Sequence, residues 1–211
     1  MKTEVIKIDP DRPALTVIKK TAEVIRNGGL VILPTDTVYG LVCDAMNSTA
    51  VGKVFKVKKR PLSQPLSIAI NDFRDVTKYV TDIPNVAKIL AKKFLPGPLT
   101  IILKKAKTIP DIVTAGRNDI GIRIPDCKFV LRLIKILQKP IVIPSANIHN
   151  QPPPISVKET LKDFDGKVEL IIDGGETKYR KESTIVSCIN ENITILRIGV
   201  ISAKKIFSAL K

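Results

Sequence analysis

A polar segment, PTDTVYGL at residues 34–41, combines two hydroxyls, a carboxylate and a phenol directly after an apolar run. Such groups hydrogen-bond ligands, and open α/β sheets place ligands in the crevice beyond their strand ends. The same residue types also form turns that Thr and Asp side chains cap. The segment is therefore either part of a ligand crevice or a capped turn.

A basic segment, KVFKVKKRP at residues 53–61, carries five cationic side chains in nine positions. If it ends a helix, Lys58 and Arg60 point beyond the helix end, within reach of a phosphate. A basic helix end also suits the helix dipole without any ligand. The run is thus either a phosphate site or a solvated face, and its composition alone favours the solvated face.

Two further segments bring polar residues to apolar runs. PSAN places Ser145 and Asn147 at a strand end, where small side chains let an anion approach the backbone, although both types are common in turns. GIRIP puts Arg123 inside an apolar strand. A buried arginine needs a partner, so Arg123 meets either an internal carboxylate or a ligand carboxylate, and we favour the ligand. ESTIV and LRIG add hydroxyls and another arginine at strand boundaries.

The elements that must position these segments alternate helical and strand-like periodicity. This pattern predicts an α/β fold, with a twisted sheet of mixed parallel and antiparallel strands, flanked by helices and bearing a basic concave cleft. Ser48 is expected to cap the helix that carries the basic segment. We expect one domain over residues 1–211. Helical spacing covers residues 15–25, 51–55, 86–94 and 129–137, and strand-like runs cover residues 30–33, 66–70, 99–103, 120–124, 141–143, 170–173, 184–189 and 193–198, the last two as a hairpin.

The composition narrows the class of function. The 35 Lys and Arg outnumber the 20 Asp and Glu, and the net charge of +15 indicates an anionic partner or a soluble surface. Aromatic content of 4% supports RNA recognition by base stacking only weakly. A single histidine and three scattered cysteines argue against metal clusters and Ser-His nucleophiles. Neither a GxxxxGKS/T nor a GxGxxG phosphate loop occurs. A site for a nucleotide plus a small carboxylate fits best.

Targeting signals are not apparent in the sequence. Its apolar runs are far shorter than the roughly 18 residues of a membrane span, and charges interrupt the amino terminus where a signal peptide has its apolar core. We therefore expect a cytoplasmic protein without a membrane partner.

The chain resembles the YrdC-like family of threonylcarbamoyl-AMP synthases, in its single-domain form. The resemblance implies that L-threonine, bicarbonate and ATP are converted to threonylcarbamoyl-AMP and pyrophosphate. It also implies Mg²⁺ held mainly by the nucleotide and water, with no protein ligand expected. The resemblance is carried by segments that follow in register, namely GGLVILPTDTVYGLVCDA, KVFKVKKRPLSQPLSI, PGPLTIIL, GIRIPD, PSAN, ESTIV and LRIGVIS.

Site residues are implied by position in the family's KxR…SxN pattern. Lys58 and Arg60 are the implied catalytic residues and meet the ATP phosphates, and Arg123 is expected to hold the threonine carboxylate. The implied ATP contacts are Lys58, Arg60, Gln64, Ser145, Asn147 and Arg197, and the implied threonine contacts are Thr37, Arg123, Ser183 and the backbone of Ile143.

Three residues depart from the commoner family pattern. Ala69 stands where relatives often have histidine, Asp119 where many have threonine or serine, and Pro153 where a small hydroxyl residue is frequent. These departures bear on the fine structure of the two subsites more than on the reaction class.

The implied product supplies the threonylcarbamoyl group of N6-threonylcarbamoyladenosine (t6A) in tRNA. The resemblance therefore implies downstream tRNA threonylcarbamoyl transferase machinery as a partner, with tRNA or double-stranded RNA as a further ligand. Two alternatives stay open. One is a double-stranded RNA-binding or ribosome-associated module that uses the basic cleft, and the other is a relative that handles a carbamoyl-adenylate in carbamoyl transfer.

Overall fold

Helices and strands alternate along the chain, for which a computed structural model describes residues 2–211. Short 3₁₀ turns at Phe73–Lys78 and Ile189–Glu191 complete the pattern. The strands are β1 (Glu4–Lys7), β2 (Val31–Leu33), β3 (Gly40–Asp44), β4 (Ser67–Ala69), β5 (Leu99–Lys104), β6 (Asp119–Arg123), β7 (Ile141–Val142), β8 (Leu170–Asp173), β9 (Thr184–Ser187) and β10 (Thr194–Arg197). The helices are α1 (Leu15–Arg26), α2 (Ser48–Lys58), α3 (Asn85–Phe94), α4 (Asp111–Thr114), α5 (Lys128–Leu137), α6 (Val157–Phe164) and α7 (Ala203–Ser208).

The strands form one sheet in the order β1-β8-β2-β3-β7-β4-β6-β5-β9-β10. Parallel pairs join β8 to β1 and β2, β4 to β6, and β5 to β9. Antiparallel pairs join β3 to β2 and β7, β7 to β4, β6 to β5, and β9 to β10. The prediction of an α/β fold on a mixed sheet is confirmed, as is the β9–β10 hairpin.

Apolar periodicity explains the helices that the sequence predicts. In α1, the residues spaced by three and four, Ile18, Ala22 and Ile25, are all buried. The expected cap of α2 is wrong, because the cap is Asn47 rather than Ser48. The Asn47 side chain accepts a hydrogen bond from the Ala50 amide at 3.0 Å, and Ser48 is already the first helical residue.

The sheet buries both faces but covers them unequally. One face packs along its width against α2, α3, α4, α6 and α7. On the other face, α1 and α5 pack against β8, β2, β3, β7 and the end of β4. Among the described residues, none from β5, β6, β9 or β10 joins this second apolar cluster. That half of the face carries polar residues instead, and it is the floor of a cavity.

Candidate functional site

A cavity lies over the part of the sheet that α1 and α5 leave uncovered. Its walls combine hydroxyls, three guanidinium groups and one carboxylate, which suits ligands rich in oxygen. Apolar contacts come from Val38, Leu66, Ile143 and Ile185. The polar side chains that line it are Thr35, Thr37, Tyr39, Arg60, Ser67, Thr100, Arg123, Ser145, Glu182, Ser183 and Arg197.

The cavity floor is a row of neighbours on adjacent strands. Thr100 of β5 stands opposite Arg123 of β6 and next to Ile185 of β9, which in turn opposes Arg197 of β10. A bulge between Ile195 and Arg197 inserts one residue into β10. Without that extra residue, regular pairing would place Leu196 opposite Ile185. The bulge therefore brings a guanidinium, rather than a leucine, to the cavity.

Gly121 keeps the floor open. It pairs with Ser67 on the neighbouring strand, and a Cβ atom built on Gly121 would lie 2.3 Å from the Ser67 Oγ. Any larger residue would therefore displace Ser67, whose side chain lines the cavity. The close approach of β4 and β6 at this point requires glycine.

The segment after β2 forms a wall built by threonine hydroxyls. The Thr35 hydroxyl donates to the carbonyl of Val38 at 2.7 Å and lies 2.9 Å from the Thr37 hydroxyl. The amides of Thr37 and Val38 in turn donate to the Thr35 hydroxyl. The segment is thus both a capped turn and a cavity wall, and the two readings of its sequence coexist. The segment leads into β3, a buried strand that begins at Gly40 and that the sequence did not predict.

Arg123 is buried at 6% exposure yet lines the cavity. Its Nη2 donates to Asp36 Oδ1 at 2.5 Å and to the Thr37 hydroxyl at 2.7 Å. Arg123 therefore meets an internal carboxylate, and contact with a ligand carboxylate, the alternative favoured from the sequence, stays a prediction. Burial raises the pKa of Asp36, and the charge of Arg123 opposes that rise.

A second ion pair stands at the other end of the floor. Arg197 Nη1 donates to Glu182 Oε1 at 2.6 Å, and its Nε and Nη2 donate to the carbonyl of Ser183. The Ser183 hydroxyl lies 2.9 Å from the Thr100 hydroxyl. These contacts fix the Ser183 hydroxyl between the Thr100 hydroxyl and the Arg197 guanidinium.

Arg60 enters the cavity from the loop after α2. Its Nε donates to the carbonyl of Gln64 at 3.2 Å, and its Nη2 donates to that of Pro65 at 2.9 Å. Burial and the nearby charge of Arg197 lower the pKa of this guanidinium. Arg60 is thus oriented by neutral carbonyl groups and remains fully cationic at any physiological pH.

Lys58 lies behind the cavity wall, at 2% exposure. Its Nζ donates to the carbonyls of Ser145 and Asn147 at 2.5 and 2.7 Å, and lies 3.4 Å from Asn147 Oδ1. Burial, and then the charge of Arg60, lower the pKa of Lys58 to about 7. The ammonium therefore holds the loop of residues 145–147 from beneath, and contact between Lys58 and a phosphate stays a prediction.

The predicted site residues divide into two groups. All four predicted threonine contacts, Thr37, Arg123, Ile143 and Ser183, line the cavity, as do three of the six predicted ATP contacts, Arg60, Ser145 and Arg197. The other three ATP contacts, Lys58, Gln64 and Asn147, do not line it in this structure. Gln64 Nε2 lies 3.2 Å from His149 Nε2, and the Asn147 amide donates within its own loop to Ile148 and Gln151.

Sequence reasoning missed Ser67, Thr100 and Glu182 as cavity residues. Ser67 and Thr100 are single hydroxyls within strand-like runs, and only their side of the strand distinguishes them. Glu182 precedes the predicted Ser183 and had a signal in the segment ESTIV, where a carboxylate stands at a strand boundary.

The three departures from the family pattern lie away from the cavity lining. Ala69 is buried against the second apolar cluster. Asp119 pairs with Arg117 at the start of β6, at the opposite end of that strand from Arg123. Pro153 is also outside the lining. None of these three side chains forms a cavity wall in this structure.

The oxygen donors of the cavity do not make a protein-held metal site. Among residues 2–211, no group of three or more His, Cys, Asp or Glu side chains could hold an ion. The cavity carboxylate, Glu182, is already engaged by Arg197. In the same described range, no helix is long and apolar enough to cross a membrane.

Comparison with known proteins relates the chain that forms this cavity to one family. The family model Sua5_yciO_yrdC, described as telomere recombination, matches residues 23–199. The threonylcarbamoyl-AMP synthase of Pyrococcus abyssi is 41% identical over 189 residues, which are 90% of this chain and 56% of that protein. The putative threonylcarbamoyl-AMP synthase of Methanocaldococcus jannaschii is 41% identical over 211 residues, covering 98% of both.

A solved structure agrees with these matches. The crystal structure of P. abyssi Sua5 complexed with L-threonine superimposes with a TM-score of 0.95 and 38% identity, over 99% of this chain and 61% of that chain. The chain thus spans a little over half of the Pyrococcus protein and nearly all of the Methanocaldococcus one. From the extent of the family match and these identities, the chain belongs to the Sua5/YciO/YrdC family.

Proposed function

We propose that this protein is an L-threonylcarbamoyladenylate synthase, a nucleotidyltransferase that acts on L-threonine, bicarbonate and ATP. The observation that carries the proposal is the joint placement of Thr37, Arg123, Ile143 and Ser183 in one cavity with Arg60 and Arg197. The hydroxyls of Thr37 and Ser183 and the guanidinium of Arg123 suit an amino acid. The guanidinium groups of Arg60 and Arg197 suit phosphates. The threonine bound to the related P. abyssi Sua5 supports the same substrate here.

The amino acid subsite is proposed at the Arg123 end of the cavity. The guanidinium receives the threonine carboxylate, and the hydroxyls of Thr37 and Ser183 are available to the polar groups of the ligand. A site that hydrogen-bonds the threonine hydroxyl discriminates against analogues without it more strongly than an apolar pocket does. The Thr35 and Thr100 contacts hold these hydroxyls in place before the ligand enters.

The reaction then requires two bond-forming steps. Bicarbonate takes up one proton and loses water to give carbon dioxide, which the threonine nitrogen attacks. In forming the carbamate the threonine ammonium gives up two protons, one that balances the loss of water from bicarbonate and one that goes to solvent. A carbamate oxygen next attacks the α-phosphorus of ATP, the bond to the bridging oxygen of the β-phosphate breaks, and pyrophosphate leaves. Negative charge on the phosphate oxygens must be stabilised during this second step, and fixed cations do so most effectively in a water-poor site.

Arg60 and Arg197 are proposed to supply that stabilisation, with ATP entering as its magnesium complex. Of this pair, Arg60 is the proposed catalytic residue. Its guanidinium is held by two neutral carbonyls rather than by a carboxylate, so its positive charge is available to the phosphates. Ser145 lines the nucleotide side of the cavity, where Gln64 and Asn147 support the loops. Lys58 is proposed to serve the reaction through the loop of residues 145–147, which it holds by three contacts.

Threonylcarbamoyl-AMP is an activated acyl donor, and we propose that a tRNA threonylcarbamoyl transferase consumes it to form t6A. A cytoplasmic location is proposed with it. The RNA-binding alternative gains no support from the cavity, because Arg123 and Arg197 are already paired with carboxylates, whereas a duplex is bound through phosphate and 2′-hydroxyl contacts.

The test is release of pyrophosphate by purified protein with MgATP, measured with and without L-threonine and bicarbonate. We expect release to require both. Arg60→Ala is expected to abolish it, whereas Arg74→Ala, which removes an exposed arginine paired with Asp72, serves as the matched control. Folded protein that binds ATP but releases no pyrophosphate with both substrates would contradict the proposal.

A further inference from the structure

The cavity arginines differ in how their charge is compensated. Arg123 is paired with Asp36, and Arg197 is paired with Glu182. Arg60, in contrast, donates to the carbonyls of Gln64 and Pro65. Within the described residues, the excess positive charge of the cavity therefore resides at Arg60, while the Arg123 end is close to neutral.

Asp36 is unusual among the carboxylates of the chain. Its side chain has 0% exposure, and that of Arg123 has 7%. Residues 2–211 contain two buried side-chain polar atoms without a hydrogen-bond partner, and both belong to this pair, Asp36 Oδ2 and Arg123 Nε. A buried polar atom without a partner destabilises the fold. The pair is therefore difficult to explain as a stabilising device alone, and its persistence points to a role in the site.

The contacts of Arg123 show what that role is. Nη2 donates to Asp36 Oδ1 and to the Thr37 hydroxyl, and Arg123 and Thr37 both line the cavity whereas Asp36 does not. Asp36 thus orients the guanidinium and also cancels its charge. A phosphate dianion placed at such a pair meets the repulsion of the Asp36 carboxylate. An amino acid zwitterion carries both a carboxylate and an ammonium group. Repulsion of the first by Asp36 and attraction of the second to it largely cancel.

We propose that Asp36 is a specificity-determining residue, which makes the Arg123 end of the cavity accept a zwitterionic amino acid and exclude phosphate. The inference rests on the proposed function, since it assigns this end to threonine. As a consequence, phosphates bind at Arg60, which is held by neutral carbonyls, and the amino acid binds at Arg123, whose charge is balanced by Asp36. Without that division, a triphosphate with access to both ends would block its own co-substrate.

The test uses equilibrium binding, which needs no turnover. L-Threonine is titrated into the full-length protein by calorimetry, with and without inorganic phosphate, at constant ionic strength. For wild type, phosphate is expected to leave threonine affinity unchanged. Asp36→Asn keeps the shape and the oxygen acceptor but removes the charge. For this variant we expect phosphate to compete with threonine, with an inhibition constant at least about tenfold lower than the limit that the wild-type titration sets.

Two controls separate charge from structure. Asp44→Asn alters another buried carboxylate, which ends β3 and is paired with Lys139, and is expected to behave as wild type. The double variant Asp36→Asn/Arg123→Gln removes both charges and, because Arg123 holds the threonine carboxylate, is expected to lose threonine binding with or without phosphate. A purely structural role for Asp36 predicts instead that Asp36→Asn weakens threonine binding without making it sensitive to phosphate.

The outcomes are distinct. Phosphate competition in wild type would overturn the inference, and this measurement does not depend on any variant folding. Asp36→Asn that binds threonine and still excludes phosphate would also overturn it, while leaving the proposed function intact. Wild type that binds no threonine would overturn both the inference and the proposed function.

Discussion

Replacing Lys58 by methionine tests how the loop of residues 145–147 is held. Methionine has nearly the length of lysine and fills the same buried space, but it donates no hydrogen bond. The change removes the contacts of Nζ to the carbonyls of Ser145 and Asn147. Because Lys58 does not line the cavity in this structure, its proposed effect on catalysis passes through the position of this loop.

The expected cost in stability is small, because two large terms oppose each other. A pKa lowered from 10.5 to about 7 means that burial disfavours the charged lysine by about 5 kcal/mol, which the variant recovers. Two carbonyls lose their donor, at a cost of about 1–3 kcal/mol each. We therefore expect the free energy of unfolding at pH 7 to lie between about 3 kcal/mol above and about 1 kcal/mol below that of wild type.

The expected cost in activity is large. Ser145 lines the cavity, and a displacement of about 1 Å in a positioning group can lower a rate about 100-fold. The assay is threonine-dependent pyrophosphate release, combined with urea unfolding of the same protein. Lys53→Met is the matched control, since Lys53 lies on the same helix and its Nζ donates to the carbonyl of Gly28 instead. Activity of the Lys58 variant within threefold of wild type would refute the reasoning.

The remaining predictions concern pH, the cavity floor and the arginine fork. Because the pKa of Lys58 is lower in the folded protein than in the unfolded chain, the unfolded chain binds more protons above pH 7, and the contribution of Lys58 to stability rises from pH 7 towards 10.5. Urea unfolding at pH 7 and 9 should show wild type gaining about 2 kcal/mol relative to Lys58→Met, and an identical pH dependence in both proteins would contradict this. Gly121→Ala places a Cβ atom against the Ser67 hydroxyl and should raise the KM for threonine about tenfold. The control Gly52→Ala, whose added Cβ meets only ordinary contact, should leave KM unchanged. Arg60→Lys keeps the charge, but an ammonium group cannot donate to both carbonyls and also offer two parallel hydrogen bonds to a phosphate. We therefore expect kcat to fall about 100-fold. A near-normal kcat would show that a point charge is sufficient.

Local pattern in the sequence was enough to predict several elements. The apolar spacing of α1 and α5 and the apolar run of β5 report which side of each element is buried, since periodicity depends only on neighbouring residues. The segments that resemble the family also correctly predicted its membership and the mixed sheet. The predicted threonine contacts occur together because each lies at a strand boundary of that sheet: Arg123 ends β6, Thr37 and Ile143 follow β2 and β7, and Ser183 precedes β9.

Tertiary structure decided the partners of the charged groups. Asp36 and Arg123 are 87 residues apart in sequence, and Lys58 is as far from Ser145. A sequence pattern shows that a lysine or an arginine is present, but it does not show which distant backbone or carboxylate faces it. The sequence thus indicated no partner for Lys58 within the chain, and the structure encloses this side chain beneath a loop. The bulge in β10 likewise depends on pairing with β9, because only the partner strand defines which residue is the extra one.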